Sequence, residues 1–513
     1  MKKNLRLWLA GISMLVSVEM QAQTYAETAL LLSRTRAGGS ARIQSMGGAQ
    51  VSLGGDYSSA SSNPAGLGFF NRSEFTVTPA INFSNTSSDF YRGDTLITSG
   101  NADSRSNLNI PGISIVFHND FSDRSNSVIS GNFAITLNRI NDFNQNFTYQ
   151  GANPGSSLID FFINDATGLP TSQLGANPTG LAYDNYLIGP QTLLNASADP
   201  TSYFSDVQFT DIPFQKEQVQ TSGAQNQINL AYGINIKDKI YIGGGLGIAS
   251  LRFNSKKTYS ESFSTAPVTS FVLTENLVTS GSGINLTLGT IFKPIDQVQI
   301  GFSASSPTWY TISDNYAASM NSTWSNYKYF LSPSDPNQFE ILNKESSQTD
   351  EIITNYNLAT PFKINAGITY LIQKHGLLTF EVEHLNYGKT SYTSATDGVS
   401  FDDDNQEIQN SYKSTINFRG GGEYRLKNLR FRAGYNYMGD PYQSTKGGDR
   451  SFTSLSGGAG YRTKTFYLDL TLISITGNTL YNPYSYGIPT SIAPVVKTAN
   501  NNLQAMVTLG FPF

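Results

Sequence analysis

Apolar and polar residues alternate one by one in many short stretches of this chain, and no other feature constrains its fold as strongly. A period of two is that of a β-strand with one apolar face. No apolar run after residue 22 approaches the roughly 20 residues of a membrane helix, yet the chain holds 28 Tyr, 31 Phe and 46 Gly. The sequence therefore predicts an all-β protein, a transmembrane antiparallel β-barrel whose residues face lipid and lumen in turn. The last stretch shows the pattern most clearly, with Leu503, Ala505, Val507, Leu509, Phe511 and Phe513 alternating with polar or small residues.

Short turns and long connections also alternate along the chain. Lys237-Asp238-Lys239 and Leu426-Lys427-Asn428 are tight turns, whereas residues 151–223 and 306–358 are long polar connections. Outer-membrane barrels have short periplasmic turns and long extracellular loops, so we predict about fourteen strands over residues 73–513, with both termini periplasmic. The strands are expected to begin near Ser73, Leu108, Ser127, Ala224, Ile240, Gly283, Val298, Pro361, Leu377, Ser414, Leu429, Ser451, Phe466 and Asn502.

The N-terminal residues 1–22 have the pattern of a secretory signal peptide, with Lys2, Lys3 and Arg6 before an apolar run that is too short to span a bilayer. The exported chain has no cysteine, so a disulfide framework and a thiolate metal site are both excluded. The formal net charge is −4 for the full sequence and about −6 without residues 1–22, and this mild acidity argues against nucleic acid as a partner.

Residues 42–70 are rich in Gly, Ser and Ala and cannot build a core of their own. We predict that residues 23–72 form a hatch, or plug, inside the lumen. Asn63-Pro64-Ala65 forms a rigid turn, because Pro64 fixes its own φ and Asn63 can bond the backbone two residues on. From the residues alone, this turn is either part of a gate or only the entry to the first strand.

The segment Ser45-Met46-Gly47-Gly48-Ala49, followed by Asp56 and Asn63-Pro64-Ala65-Gly66-Leu67, resembles the N-terminal hatch of the FadL/TodX family of outer-membrane transport proteins. The resemblance implies a monomeric channel for passive uptake of hydrophobic small molecules, long-chain fatty acid-like or aromatic. It implies a hatch that is displaced and includes Gly47, Gly48, Asn63, Pro64 and Ala65, and an exit sideways through the barrel wall. The terminal Phe513 resembles the signal read by the barrel-assembly machinery, and outer-membrane lipid and lipopolysaccharide are the expected surroundings. The long 151–223 loop departs from the fatty-acid transporters, so no particular substrate is implied.

In the predicted third strand the apolar residues change from odd-numbered to even-numbered positions, and so from one face of the strand to the other. After Ile135 and Leu137 the lipid-facing series meets Arg139, and the next apolar residue is Ile140. Either a bulge near Asn138, Arg139 and Asn141 opens a lateral gap, as the family resemblance implies, or the strand has left the membrane at this point.

Charged residues recur on the lumen-facing side of several strands. They are expected to pair across neighbouring strands, as an ion-pair lattice that stiffens the barrel or as part of a substrate site. These residues are Glu381, Glu383, Arg419, Glu423, Arg425, Arg430 and Arg432.

Two loop stretches are unusually apolar, one around Leu158, Phe161 and Phe162 and one around Trp309 and Trp324. Such patches either cover each other or form a groove that captures an apolar ligand. The sequence leaves both possibilities open.

Catalytic motifs are missing, since there is no nucleophile elbow, no HExxH and no Cys. We therefore predict no enzyme activity, no metal site and no cofactor. The predicted function is a hydrophobic-compound channel; the alternative is a barrel that transports nothing and serves as a docking partner in protein secretion or surface attachment.

Overall fold

The computed structural model of the chain describes residues 25–36, 38–121, 127–207, 211–396, 399–484 and 492–513. The predicted signal peptide, residues 1–22, lies outside these ranges and stays a prediction.

The described residues form a closed antiparallel barrel of 14 strands, as predicted. Each strand pairs with its neighbours in chain order, and β1 pairs with β14 from Glu74↔Pro512 to Arg92↔Pro494, which closes the wall. Tight turns join the strands at one end, here called the turn end, and the longer connections lie at the other, the loop end. The strands are β1 (Glu74–Arg92), β2 (Thr95–Asp120), β3 (Val128–Asp142 and Gln145–Ala152), β4 (Phe214–Ile236), β5 (Ile240–Ser262), β6 (Val268–Ile295), β7 (Val298–Ser305 and Trp309–Phe330), β8 (Phe339–Gln348, Ile352–Ala359 and Lys363–Ile372), β9 (Gly376–Asn386 and Ser391–Ser394), β10 (Ser414–Leu426), β11 (Leu429–Met438), β12 (Phe452–Arg462), β13 (Tyr467–Tyr481) and β14 (Pro494–Pro512).

An apolar belt surrounds the half of the barrel nearest the turn end. On β5 the outward side chains are apolar from Ile240 to Ile248, which is 42% exposed, and polar from Ser250 onward. Exposed apolar side chains in one continuous band need lipid around them, so the barrel is one that spans a membrane. None of the helices in the described ranges is long and apolar enough to cross a membrane.

Several strands continue far beyond the belt, and this corrects the predicted boundaries. β2 begins at Thr95 instead of Leu108, β4 at Phe214 instead of Ala224, β6 at Val268 instead of Gly283, β8 at Phe339 instead of Pro361 and β14 at Pro494 instead of Asn502. Beyond the belt the outward side chains are polar, so the lipid-facing series of apolar residues ends while the hydrogen-bonded ladder continues.

Residues 25–73, here called the N-terminal segment, lie inside the barrel. The segment contains α1 (Tyr25–Ser33), α2 (Ala41–Gln44), α3 (Ser59–Ser62) and a 3₁₀ helix (Pro64–Phe69). α1 packs near the loop end, and the 3₁₀ helix packs on β4 and β5 near their turn. The segment therefore crosses the lumen lengthwise before β1 begins.

A cap covers the loop end. It consists of the described residues between 153 and 213, with α4 (Leu158–Ala166), α5 (Pro178–Asp184), 3₁₀ helices at Thr171–Gln173 and Gln191–Leu193, and a two-stranded pair of Gly189–Pro190 with Tyr203–Phe204. A second connection carries a 3₁₀ helix (Tyr387–Lys389) and α6 (Asp402–Ser411). The largest connection is thus shorter than the predicted 151–223, because residues 214–223 belong to β4.

Candidate functional site

The lumen beside the N-terminal segment contains a cavity of about 280 Å³, here called the central cavity. Apolar side chains form most of its wall, and four cationic side chains border it against two carboxylates. The apolar ones are Leu30, Leu31, Phe143, Phe147, Val219, Phe253, Met438, Phe452, Leu480 and Tyr481; the charged ones are Arg34, Arg36, Lys257, Arg450, Glu27 and Asp142.

Helix α1 supplies one side of the central cavity, and an aromatic cage holds its first turn. The ring of Tyr25 packs edge-on against Tyr356, Tyr392 and Phe401 with centroid distances of 5.7, 5.3 and 5.2 Å. The Tyr392 hydroxyl donates to the Tyr25 carbonyl at 2.9 Å, and the Tyr412 hydroxyl donates to the Ala26 carbonyl at 3.0 Å. These contacts fix Leu30 and Leu31 against the cavity.

Two arginines follow α1. The Arg34 guanidinium donates to the carbonyls of Gly439 (3.2 Å) and Arg450 (3.0 Å) and lies 4.5 Å from the centre of the Phe452 ring. Arg36 borders the central cavity and also two smaller cavities of about 110 Å³ each. Arg36 therefore stands where three spaces of the lumen meet.

The predicted gate residue Asn63 is completely buried. Its Nδ2 donates to the carbonyls of Val51 (2.6 Å) and Thr290 (3.2 Å), and its Oδ1 accepts the Ala65 amide at 3.2 Å. The last contact caps the 3₁₀ helix that Pro64 begins. Asn63 thus ties the N-terminal segment to itself and to β6.

Gly47 and Gly48 have φ values of 72° and 81°, which favour glycine. They form a turn that lies directly on the wall: a Cβ at Gly434 of β11 would collide with the Gly47 amide. A Cβ at Gly421 of β10 would come within 2.6 Å of the Met46 Cα. The segment and the wall meet backbone to backbone at this place.

A bulge lies where the parity of the third strand changes. The pairing of β3 with β4 shifts register between Arg139 and Asn141. The pairing of β2 with β3 ends at Gly112↔Asn138, so within the described residues the two strands share no backbone pairing beyond that point. Residues 95–111 of β2 pair with β1, and residues 139–152 of β3 face them across what we call the side gap.

The three residues predicted at this opening contact different partners. Asn138 Nδ2 donates to Ser61 Oγ at 3.2 Å, and Asn141 Nδ2 donates to the Leu31 carbonyl at 3.2 Å. The Arg139 Nε donates to Asn226 Oδ1 at 3.1 Å, and its Nη1 lies 3.4 Å from Asp142 Oδ2. Two of the three therefore touch the N-terminal segment.

A buried ion-pair group links β9 and β10 to the N-terminal segment. Arg419 Nη1 lies 2.6 Å from Glu381 Oε1, and Nη2 lies 2.9 Å from Glu383 Oε1. The other oxygen of Glu381 accepts the amides of Gln50 (2.8 Å) and Val51 (3.0 Å). This group therefore anchors the segment as well as joining two strands.

A second group is centred on Glu423. Arg432 Nε and Arg425 Nε both lie 2.7 Å from its oxygens, and Arg432 Nη1 reaches Asp469 at 2.6 Å. Arg42 of the N-terminal segment lies 3.7 Å from Glu423 and 3.9 Å from Asp56. The participation of Arg42 and Asp469 was not predicted, because strand parity shows which residues face inward but not which side chain of the segment meets them.

Arg430, predicted with this group, instead donates to the carbonyls of Lys427 (2.6 Å) and Leu429 (2.8 Å) at the turn end.

The predicted ligand-capture residues are mostly covered. Leu158, Phe161 and Phe162 of α4 and Trp324 of β7 are buried in one cluster with α5 and the loop-end parts of the wall. Trp309 lies outside this cluster and is 50% exposed. The sequence left open whether these apolar residues cover each other or form a groove for a ligand. At α4 they cover each other.

Fold and site together define a closed membrane β-barrel whose lumen contains the chain's own N-terminal segment and a cavity lined by apolar and cationic residues. A search of solved structures finds a FadL homologue from Pseudomonas aeruginosa, with a TM-score of 0.52, 10% identity and coverage of 93% of this chain and 99% of that one. Also found are the toluene transporters TodX of Pseudomonas putida (TM-score 0.48, 11% identity) and TbuX of Ralstonia pickettii (TM-score 0.47, 12% identity), each covering 93% of this chain and 99% of that one. No protein-family model and no curated protein sequence matches the chain significantly. The family resemblance is thus confirmed at the level of fold: the chain has the fold of a FadL-type barrel.

Proposed function

We propose that this protein is an outer-membrane channel for the passive uptake of hydrophobic small molecules. One observation carries the proposal: the central cavity lies directly behind the side gap, since Asn141, Asp142, Phe143 and Asn144 of β3 border it. A molecule held in the cavity therefore lies next to the place where the backbones of β2 and β3 do not pair.

Exit through the wall suits an apolar cargo. A solute that leaves through the side gap enters the bilayer without crossing the aqueous periplasm. Its apolar surface is therefore never exposed to water, and the unfavourable free energy of hydrating that surface is avoided. The gap begins within the apolar belt, beside the exposed side chains of Leu108 and Ile110 on β2. The bilayer is thus directly available to the leaving molecule.

The contacts of the N-terminal segment favour this route over displacement of the hatch. The segment is tied to the wall by Asn63, by the amides that donate to Glu381 and by backbone contacts at wall glycines. Displacing it would break all of these contacts together, whereas the side gap has no ladder to break. We propose that the segment stays in place and closes the turn end of the lumen, here called the floor, while cargo passes from the loop end to the side gap.

The lining of the central cavity points to an amphipathic cargo with an anionic head. Arg34, Arg36, Lys257 and Arg450 outnumber the bordering carboxylates of Glu27 and Asp142. A long-chain fatty acid-like molecule satisfies both the apolar and the cationic parts of this wall, whereas a neutral aromatic hydrocarbon satisfies only the first.

Native mass spectrometry of the protein in a mild detergent, with organic extraction, tests the proposal. We expect a retained apolar small molecule, and we expect Leu31→Trp to lose it because the larger side chain fills the cavity. Leu472→Trp is the matched control, since Leu472 is 58% exposed on the outer wall. A large, constantly open conductance in planar bilayers, or equal ligand retention by both variants, would refute the channel as described.

The docking alternative has less support from the fold. Its binding surface was to be the long loop, but the most apolar residues of that loop are buried in the cap. A stoichiometric protein partner that co-purifies with an empty barrel would nevertheless favour docking over transport. We further propose that the barrel is a monomer surrounded by lipid and lipopolysaccharide after insertion by the barrel-assembly machinery.

A further inference from the structure

Polar side chains bridge the side gap in place of a backbone ladder. Asp142 Oδ2 accepts hydrogen bonds from Asn82 Nδ2 of β1 at 3.0 Å and from Asn107 Nδ2 of β2 at 3.2 Å. The same oxygen lies 3.4 Å from Arg139 Nη1 on its own strand. A single carboxylate oxygen thus joins three consecutive strands across the opening.

The other oxygen of Asp142 holds the interruption in β3. Asp142 Oδ1 accepts the Asn144 amide at 3.0 Å and Asn144 Nδ2 at 2.8 Å. These bonds fix the short interruption between the two parts of β3, at Phe143 and Asn144. Both the bridge and the bend of the strand therefore depend on one side chain.

A second bridge lies nearer the loop end. Arg105 Nη1 of β2 donates to Asn146 Oδ1 on β3 at 3.1 Å and to the Thr221 carbonyl on β4 at 2.9 Å. Because the guanidinium reaches past β3 to β4, it joins β2, on one side of the side gap, to β3 and β4 on the other. Thr148 adds a weaker contact to Asp103 at 3.3 Å.

The remaining polar groups of the gap are not satisfied. Both side-chain atoms of Asn109, Asp103 Oδ2 and Asn101 Nδ2 are buried without a hydrogen-bond partner among the described residues. Such groups cost free energy while the gap is shut.

Four of the side-chain hydrogen bonds that hold the closed arrangement end at Asp142 or Arg105. The second part of β3 is also held by Gln145, which donates to Thr86 (3.2 Å) and Asn500 (2.6 Å), and by Tyr149, whose ring lies 4.7 Å from that of Phe90.

We propose that Asp142 and Arg105 form a two-point latch that keeps the side gap closed, and that cargo leaves when this latch is released. The inference rests on the proposed function and adds its gating residues. Arg36, Arg139 and Asp142 border one small cavity, so an anionic head in that cavity is an alternative partner for Arg139. Cargo of this kind weakens the hold of Arg139 on Asp142 and so favours the open state.

The test uses purified protein loaded with oleic acid and measures two quantities: the amount bound and the rate of transfer to lipid vesicles. Asp142→Ala and Arg105→Ala are each expected to transfer about tenfold faster, since each loses charge-assisted bonds that exist only in the closed state. Binding by Arg105→Ala is expected to stay within about twofold of the wild type, because Arg105 does not border the central cavity. Asp142→Ala removes a bordering carboxylate and is expected to bind oleate at least as tightly as the wild type, so its faster transfer cannot come from weaker binding. If Asp142→Ala does not fold, Asn107→Ala removes the same bridge from the other strand.

The chain has no cysteine, so a cross-link can be placed without background. Asn107→Cys with Asp142→Cys, joined by a short bifunctional methanethiosulfonate, is expected to stop transfer, and reductant is expected to restore it. The control pair is Thr453→Cys with Thr476→Cys, whose hydroxyls lie 2.8 Å apart across two fully paired strands. Cross-linking this pair is expected to leave transfer unchanged.

The two ideas fail in different ways. The latch is refuted if the alanine variants and the cross-linked protein bind oleic acid normally and transfer it at the wild-type rate. That result would not contradict the proposed channel function. A wild-type protein that binds no oleic acid or other apolar ligand overturns the proposed function, and the latch with it.

Discussion

The two ends of the lumen are closed by different kinds of contact. At the turn end the N-terminal segment is held by charge-assisted bonds, such as those of Glu381 to the Gln50 and Val51 amides, and by backbone contact with wall glycines. At the loop end the cap is held by a cluster of apolar and aromatic side chains that includes Phe162 and Leu187, both fully buried. Directional bonds specify one position, whereas apolar packing tolerates rearrangement at constant volume. From this difference we expect the segment to be the more fixed of the two closures and the cap and the side gap to be the parts that move.

The largest effect is expected where the turn-end closure depends on buried charge. Arg419→Met leaves Glu381 and Glu383 without their cation, and breaking such a buried pair costs about 4 kcal/mol. Thermal unfolding followed by gel mobility in detergent measures the loss. Arg430→Ala, which changes a charge at the rim of the same end, is the control and is expected to be near neutral; equal losses in both variants would contradict a fixed floor.

At the loop end, Phe162→Ala removes a ring that is 0% exposed from the centre of the cap cluster. We expect the cap to lose about 3 kcal/mol of local stability while the barrel itself unfolds as before. Hydrogen exchange of residues 153–213 measures the change. Leu194→Ala, at a side chain that is 59% exposed, should leave exchange unaltered; if the whole barrel lost stability with Phe162→Ala, the cap would not be a separate closure.

Two glycines on neighbouring strands, one in contact with the N-terminal segment and one not, test the backbone contact at the turn end. Gly434→Ala places a methyl group against the Gly47 amide and is expected to cost about 2 kcal/mol. Gly457→Ala, whose Cβ would have its nearest neighbour 3.9 Å away, is expected to cost almost nothing. Chemical unfolding of both variants in detergent decides the point, and a harmless Gly434→Ala would mean that the segment can shift away from the wall.

The smallest effect concerns pH, and it applies to the cap alone. Glu261, on the part of β5 beyond the belt, accepts bonds from the Leu158 amide (2.8 Å) and Gln215 Nε2 (2.9 Å), and burial raises the pKa of its carboxyl from 4.5 to about 7. Since the folded state prefers the protonated form, this contribution to stability is complete below pH 4.5 and is lost as the pH rises through about 7. Proteolysis of the cap should therefore be slowest in acid and become several-fold faster towards neutral pH.

Glu261→Gln is the control for this pH dependence, because the amide does not titrate. A variant whose cap keeps the same pH profile as the wild type would show that another group is responsible. The N-terminal segment should give no comparable profile in either protein.

Much of the wall was predictable because the belt imposes alternation on each strand. The turn-end starts at Ser127, Ile240, Val298, Leu377 and Leu429 agree with the structure to within one residue, and so does the loop-end start at Ser414. Five loop-end starts, those of β2, β4, β6, β8 and β14, were placed too late. Beyond the belt the outward side chains are polar, such as Arg252, Asn254 and Lys256 of β5, so the lipid-facing apolar series no longer marks the strand. Parity also identified lumen residues that face each other directly, such as Glu381↔Arg419 and Glu423↔Arg432.

The cap and the latch were harder to foresee for different reasons. A local signal for α4 was present, because Ser157 and Asp160 form a capping box at its start. The bonds of Asp142 to Asn82 and Asn107 join residues that are far apart in the sequence, so no pattern in the chain predicts them. The change of alternation at Arg139 predicted the bulge that the structure has between Arg139 and Asn141, but not the side chain that bridges β2 and β3 there.

The N-terminal segment also acts as a strut. It touches the wall at Gly289 on β6, at Gly434 on β11 and, through Tyr57, at Thr78 on β1, where the two hydroxyls lie 3.1 Å apart. Contacts in several directions set the distance between opposite walls, so lateral pressure from the bilayer cannot flatten the barrel into an ellipse without breaking them. An opening in this wall must then come from a local parting of β2 and β3 and not from a change in the shape of the whole cylinder.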